Sequence, residues 1–167
     1  IYEKLPVRSK PGDYTVTSNL PVLKGSEWID ITDGKDSIVF SINPNGNNLG
    51  SAAWGVRINN GSIRTDSVLA GGIKYFGYYL DRNFYITPQT QPSTPVSLHF
   101  YTLASELQTI HDSVMNKYGR NIPYDSVDVT KETTASTNLD PTNHTGATSY
   151  LLLNSSATSY ASDYYLQ

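Results

Sequence analysis

The chain has no cysteine, and only 16% of its 167 residues are charged. The missing cysteines exclude a disulfide framework, a thiolate metal site and a cysteine nucleophile. The formal net charge is only −3, and no group of lysine and arginine exceeds two neighbours. Because nucleic-acid binding needs a basic patch, we expect no nucleic acid among the partners.

Long hydrophobic runs are also missing. No apolar stretch approaches the roughly 20 residues of a membrane-spanning helix, so we expect no membrane insertion. The sequence begins at Ile1 without a signal-peptide pattern. We therefore expect a mature fragment or an excerpt of a longer protein.

Strand-forming and polar residues are what the chain has in quantity, with 13 tyrosines and many serines, threonines and asparagines. Ile38, Phe40 and Ile42 alternate with Ser37 and Ser41, and residues 96–101 alternate likewise, which is the pattern of strands with one buried face. An Asp-Gly pair at 33–34 lies between the β-prone runs 28–31 and 37–42 and indicates a hairpin. The whole pattern predicts a mainly β protein with about eight to ten strands, a two-sheet antiparallel β-sandwich of jelly-roll or Ig-like type.

One segment has a helical period. Leu103, Leu107, Ile110 and Val114 are spaced by four, three and four residues, which predicts a helical crossover near residues 103–118. Thr102 is the expected N-cap, and the glycine at 119 marks the expected end. We predict an N-terminal entry segment at 1–25 and a single sandwich module at 26–167.

The stretch NPNGNNLG at 43–50 has two interpretations. Its asparagine side chains offer oxygen ligands to calcium and amides to a sugar. Asparagine and glycine are also the residues that tolerate left-handed backbone in tight turns. Without a lysine for phosphate or a carboxylate for a hard cation, the sequence favours a turn.

Three acids surround the predicted hairpin at Asp30, Asp33 and Asp36. Carboxylates around a glycine turn are suited to calcium, although the EF-hand spacing is not met. Solvated acids on a hairpin explain the same pattern. We expect no resident cofactor, with calcium at these three residues as the alternative.

Aromatic residues suggest a flat surface for sugar rings, for which Trp54, Tyr78 and Tyr85 are the candidates. Aromatics are also common in strands and pack into cores. Alternation places Trp54 on one face with Val56 and Ile58, and Tyr85 on the face opposite Phe84. Both interpretations stay open at this point.

Catalytic patterns are not found in the sequence. The histidines lack HxH and HExxH spacing, no GxSxG motif occurs, and no carboxylate pair is favoured. His99 is expected on the outward face of its strand. We predict that the protein is not an enzyme.

Three stretches, WIDITDGKDSIVFSINPNGNNLGS, YYLDRNFYITPQTQPSTPVSLHFYTLASEL and SDYYLQ, together resemble a module of large surface and secreted proteins of the Bacteroidota. Such proteins are commonly exported by type IX secretion. The resemblance implies an extracellular β-domain beside adhesin-like repeats or secreted enzymes, and it carries over no catalytic residues. Within it, Asp81 and Arg82 are predicted to pair across a strand edge.

The resulting expectation is a non-catalytic extracellular or cell-surface module for adhesion, spacing or protein–protein contact within a larger secreted or cell-surface protein. The alternative is a carbohydrate-binding module accessory to a secreted enzyme. Expected partners are other domains of the parent protein, glycans, or another chain added as a strand. Strand addition is expected because similar modules continue past a segment like DYYLQ, whereas this sequence stops at Gln167.

Overall fold

The computed structural model describes residues 4–18, 20–34, 36–58, 64–70, 73–80, 82–124, 127, 129–134, 147–153 and 155–167. The strands are, in chain order, β1 Gly12–Val16, β2 Val22–Lys24, β3 Ile29–Thr32, β4 Ile38–Asn43, β5 Asn48–Ile58, β6 Arg64–Ala70, β7 Ile73–Tyr79, β8 Arg82–Pro88, β9 Ser97–Thr102, β10 Val129–Thr134, β11 Ala147–Leu153, β12 Ala157–Tyr160 and β13 Asp163–Leu166. One helix, α1, spans Ala104–Tyr118.

Two antiparallel sheets pack against each other, so the predicted sandwich is confirmed. One sheet has five strands in the order β12-β13-β9-β4-β3. In the other, β5 pairs with β1 and β2 over different parts of its length and also with β8. Two separate hairpins, β6–β7 and β10–β11, complete the described strands.

The core lies between the two main sheets because alternate residues of each strand turn inward. Trp54 of β5 meets Phe40 of β4 edge-on, with ring centroids 5.6 Å apart. Phe84 of β8 meets Phe100 of β9 at 4.9 Å. The remaining core members come from both sheets and include Leu23, Ile31, Ile42, Leu49, Val56 and Ile58. Burial of these apolar side chains is the main favourable term in folding.

The helix predicted near residues 103–118 is confirmed, and its observed start differs by one residue. Leu107 and Ile110 are its buried positions, and Gly119 ends it with a left-handed φ of 64°. The expected N-cap at Thr102 is wrong by one residue, because Leu103 occupies that position. The Glu106 carboxylate accepts the Leu103 backbone N–H at 2.8 Å, so the acid of the first turn satisfies the free amide.

The chain ends differ in two ways from the expected organisation. Residues 12–24, placed in the entry segment, contain β1 and β2, which are part of the sheet around β5. The C-terminal strand β13 lies between β12 and β9 and pairs with both. The vacancy expected beside that strand is therefore filled by β12, and strand addition at that place is withdrawn.

Candidate functional site

The outer face of the five-stranded sheet carries a group of aromatic side chains. On β9, Leu98 and Phe100 pack against the core, so His99 and Tyr101 point to the opposite side. The register places His99 opposite Ser41 and Tyr101 opposite Tyr165. We call this group the outer aromatic face; its members are Trp28, His99, Tyr101, Tyr160 and Tyr165.

Three of these rings form a stack. The His99 imidazole lies on the Trp28 indole with centroids 3.7 Å apart and planes inclined by 19°. On its other side the Tyr165 ring lies at 4.0 Å and 27°. Trp28 is nevertheless 40% exposed. An indole held by a stack and open to solvent is a ready-made contact surface.

A chain of hydrogen bonds runs under this stack to a carboxylate. The hydroxyl of Ser41 donates to Asp30 Oδ1 at 2.6 Å. Since that donation uses the serine proton, the Tyr101 hydroxyl donates to Ser41 Oγ, at 2.9 Å. Burial raises the pKa of Tyr101 above its ordinary value, which keeps the phenol protonated as the donor. The chain orients Asp30 on the exposed side of β3.

His99 is held in its neutral form. Burial lowers its pKa below the ordinary value of 6.5, and this effect exceeds the opposing hydrogen bond to Gln167 and the attraction of Asp30. Its Nε2 lies 3.1 Å from Gln167 Oε1, so this nitrogen carries the proton that is donated. A neutral imidazole stacks between two other rings without burying a charge.

The N-terminal segment covers the other end of the outer aromatic face. Val7 forms a bridge with Ile38 and packs with Tyr101. The Lys4 ammonium lies 4.8 Å from the centroid of the Tyr160 ring. The uncovered part of the face is therefore the end that holds Trp28 and Asp30. Its ring surface and carboxylate are suited to non-covalent recognition.

The candidate aromatics from the sequence are not brought together. Trp54 is only 3% exposed and lies in the core against Tyr14 and Phe40. It offers no free face to a sugar ring, so the core interpretation of this residue is the one the structure supports. The other two candidate aromatics lie in different parts of the fold. Tyr85 is on the outer face of the sheet around β5, and Tyr78 is on β7.

Each of these tyrosines has a local contact. The Tyr85 ring lies across Gly55, so close that a methyl group there would come within 2.4 Å of its Cε1. Burial raises the pKa of Tyr85. The Tyr78 ring stands edge-on to Tyr118 at 6.3 Å, with the Lys117 ammonium 5.7 Å from its centroid. A shared platform of Trp54, Tyr78 and Tyr85 is therefore not formed.

The three acids proposed for calcium also do not converge. Asp33 forms an ion pair with Arg8, and Asp30 accepts the bond from Ser41. Asp36 lines a surface depression of about 270 Å³ with Leu5 and Thr32. Among the described residues, no group of three or more histidine or acidic side chains is placed to hold a metal ion. The calcium alternative at Asp30, Asp33 and Asp36 thus finds no geometric support.

The NPNGNNLG stretch is a turn that carries the chain from β4 to β5. Asn45 and Gly46 have φ of 52° and 84°, and the Asn47 N–H closes the turn on Pro44 O at 3.0 Å. Two left-handed residues in succession are what an Asn-Gly pair supplies. The asparagine amides bond within the loop and to the segment at 93–97. The turn interpretation is confirmed.

The predicted pairing of Asp81 with Arg82 falls on a residue outside the described part of the chain and stays a prediction. The Arg82 Nε donates to both Glu106 oxygens, at 2.9 and 2.6 Å, and its Nη2 donates to the Arg8 carbonyl at 2.5 Å. Arg8 in turn pairs with Asp33. These buried ion pairs join β8, α1 and the N-terminal segment, which is a structural role.

The residues that sequence reasoning missed are Trp28 and Tyr165. Two signals for the site were present, since His99 was expected to point outward and Asp30 has the same parity as Trp28. What was missing is the strand order, because β9 and β13 are neighbours only in the folded sheet.

Within the described part of the chain, no helix has the length and apolar character needed to cross a membrane. Searches against protein-family models, curated proteins and solved structures found no match to this chain.

Proposed function

We propose that this protein is a non-catalytic extracellular module that acts by contact, in adhesion, spacing or protein–protein association within a larger secreted or cell-surface protein. The observation that carries the proposal is the Trp28–His99–Tyr165 stack on the outer face of the five-stranded sheet. Tryptophan and tyrosine are the residues most enriched at the centre of binding interfaces.

The stack supports a contact role because its rings are already ordered. Binding through a mobile side chain costs about 0.5–1.5 kcal/mol for each one immobilised. Here the ring of Trp28 is held by His99 on a sheet backbone, so little of that cost remains to be met on association. An exposed indole that is stacked on a strand residue is a pre-organised anchor.

The extracellular setting is proposed from the resemblance to Bacteroidota surface modules, and other domains of the parent protein are the nearest candidate partners. The carbohydrate-binding alternative has support of its own, from Trp28 and Asp30 rather than from the aromatics that the sequence suggested.

A cell-binding assay tests the proposal. Fluorescently labelled chain should bind saturably to intact Bacteroidota cells or their secreted polymers, and Trp28→Ala should lower the affinity at least tenfold. Tyr118→Ala is the matched control, since Tyr118 is an exposed aromatic at the end of α1, away from the stack. Binding that is equal for both variants and wild type would contradict the proposal. So would time-dependent breakdown of the bound material by the purified chain.

A further inference from the structure

We propose that Trp28 and Asp30 form a subsite for a neutral pyranose ring of a glycan. This inference rests on the proposed contact function and names the ligand class of the outer aromatic face. It concerns residues that the sequence alone did not bring together as a sugar site.

The first step is the open face of Trp28. One face of the indole is covered by His99 at 3.7 Å, yet 40% of the residue is exposed. We assign the ring edge and the opposite face of the indole to the ligand. A flat apolar surface of this kind matches the C–H face of a pyranose, which is apolar on one side and carries hydroxyls around its edge.

The second step is the hydrogen-bonding group beside that ring. Trp28 directly precedes β3, and Asp30 lies in that strand two residues on. Both side chains lie on the outer side of the sheet, since Trp28 stacks on His99 and Asp30 accepts from Ser41, the residue opposite His99. The Asp30 side chain is exposed, and Ser41 bonds to one of its oxygens. A carboxylate has about four lone-pair sites, so acceptor capacity remains for sugar hydroxyls. Hydroxyl bonds to a carboxylate are roughly twice as strong as those to a neutral acceptor.

The third step is the choice between ligand classes. An apolar protein surface pressed onto Trp28 would also cover Asp30 and desolvate a carboxylate whose only donor would be the Ser41 hydroxyl, which is costly. An acidic glycan would be repelled by Asp30 and by the net charge of −3. A neutral sugar places C–H groups on the ring and hydroxyl donors on the carboxylate, so it satisfies both groups.

The subsite is also fixed in shape. The Ser41 hydroxyl donates a hydrogen bond to Asp30, and the Tyr101 hydroxyl donates one to Ser41. His99 stacks on the indole, and Tyr165 stacks on His99. A sugar would therefore meet both partners in place, which reduces the ordering cost of binding.

The test is a glycan array that includes neutral and uronate-containing glycans, followed by calorimetric titration with the best neutral oligosaccharide. We expect binding to neutral glycans that is at least about tenfold weaker in Trp28→Ala and partly retained in Trp28→Phe. Asp30→Asn should weaken it roughly threefold to tenfold, because the acceptor stays but its charge is lost. Tyr118→Ala should bind as the wild type does.

Each result has a defined meaning. Circular dichroism and the thermal midpoint of Trp28→Ala establish that the variant is folded, and Trp28→Phe provides a second folded variant with an aromatic ring. The inference is overturned if no neutral glycan binds at millimolar concentration, or if Trp28→Ala leaves the affinity unchanged. Cell binding that is destroyed by protease but not by periodate oxidation of glycans would also overturn it, while the proposed contact function would stand.

Discussion

The buried side-chain amide of Asn47 joins two loops that lie far apart in the sequence. Its Nδ2 donates to Pro44 O at 2.6 Å and to the Thr94 hydroxyl at 3.1 Å. Its Oδ1 accepts from the Ser93 backbone N–H at 3.0 Å. Asn47 thus satisfies polar groups both in the loop between β4 and β5 and in the loop between β8 and β9.

We expect Asn47→Ala to lower the free energy of unfolding by about 1–3 kcal/mol, since it leaves buried donors and acceptors without partners. Urea denaturation monitored by circular dichroism measures this change. Asn48→Ala is the control, because Asn48 is exposed and its Oδ1 accepts only the Gly50 N–H at 3.2 Å. The control should change stability by no more than about 0.5 kcal/mol. Equal losses in the two variants would contradict the assigned role.

The two described histidines have opposite pH behaviour. Burial lowers the pKa of His99, so between its folded and unfolded pKa values the unfolded chain binds more protons. The stability from neutral His99 is therefore present at neutral pH and is lost as the pH falls below 6.5, its ordinary pKa, and through the folded value. His111 is the converse case. The hydrogen bonds that its ring donates to Asp112 and then Asn121 raise its pKa, so its contribution is present at low pH and lost as the pH rises through the folded value.

We predict that His99→Phe, which keeps a ring in the stack, reduces the loss of stability between pH 7.5 and pH 5. His111→Gln should increase that loss, because it removes a group that stabilises the protonated folded state. Urea midpoints of the three proteins across this range provide the measurement. An unchanged slope in His99→Phe would show that this residue does not contribute to the pH dependence.

At the scale of the elements, the first turn of α1 is attached to both the N-terminal segment and β8. Glu106 binds Arg82 through two contacts and also accepts from the Thr102 hydroxyl at 2.8 Å. The Arg82 side chain is only 2% exposed, so its charge depends on this carboxylate. The arrangement sets where the helix begins and where it lies against β8.

We expect Glu106→Gln to destabilise the protein by about 3 kcal/mol, because a neutral amide leaves a buried guanidinium without a counter-charge. Asp112→Asn alters an acid on the exposed side of the same helix and should leave the free energy of unfolding almost unchanged. Urea unfolding compares the two, since guanidinium salts would screen the charges. A loss below about 1 kcal/mol in Glu106→Gln would mean that the ion pair contributes little.

The elements with one strongly buried face were predictable from the sequence. Alternation at 96–101 located β9, and the four-three-four spacing located α1, each to within about one residue. The edge strand β12 was missed because its residues, ATSY, are only partly buried or exposed and show no apolar alternation. The site was missed for a different reason. Trp28 and Trp54 are the same residue type, and only the packing of one sheet on the other decides which is exposed.

At the scale of the whole molecule, residues 4–8 lie against the five-stranded sheet, and we call this segment the N-terminal strap. Val7 is buried beside Ile38 and Tyr101, and Arg8 pairs with Asp33. The Arg8 carbonyl also accepts from Arg82. The N-terminal segment therefore contributes to the buried structure.

Deleting residues 1–8 should lower the free energy of unfolding by more than about 3 kcal/mol, since it removes a buried valine and breaks a buried ion pair. For a chain of this size the thermal midpoint should fall by roughly 10 °C. Lys4→Ala, which removes only the ammonium over Tyr160, should cost about 1 kcal/mol or less. Differential scanning calorimetry measures both changes, and a deletion as mild as Lys4→Ala would argue against the strap.

The position of β13 has a consequence for the order in which the chain assembles. Its four residues, Asp163–Leu166, lie between β9 and β12, and Tyr165 pairs with Tyr101. As the chain is synthesised from its N-terminus, β9 must wait for this late segment, with its pairing edge open to other chains. Closing such a long loop slows folding. Completion of the sheet, and of the stack that needs Tyr165, therefore follows the synthesis of residues 163–166, and a ribosome that still holds these residues keeps the outer aromatic face incomplete.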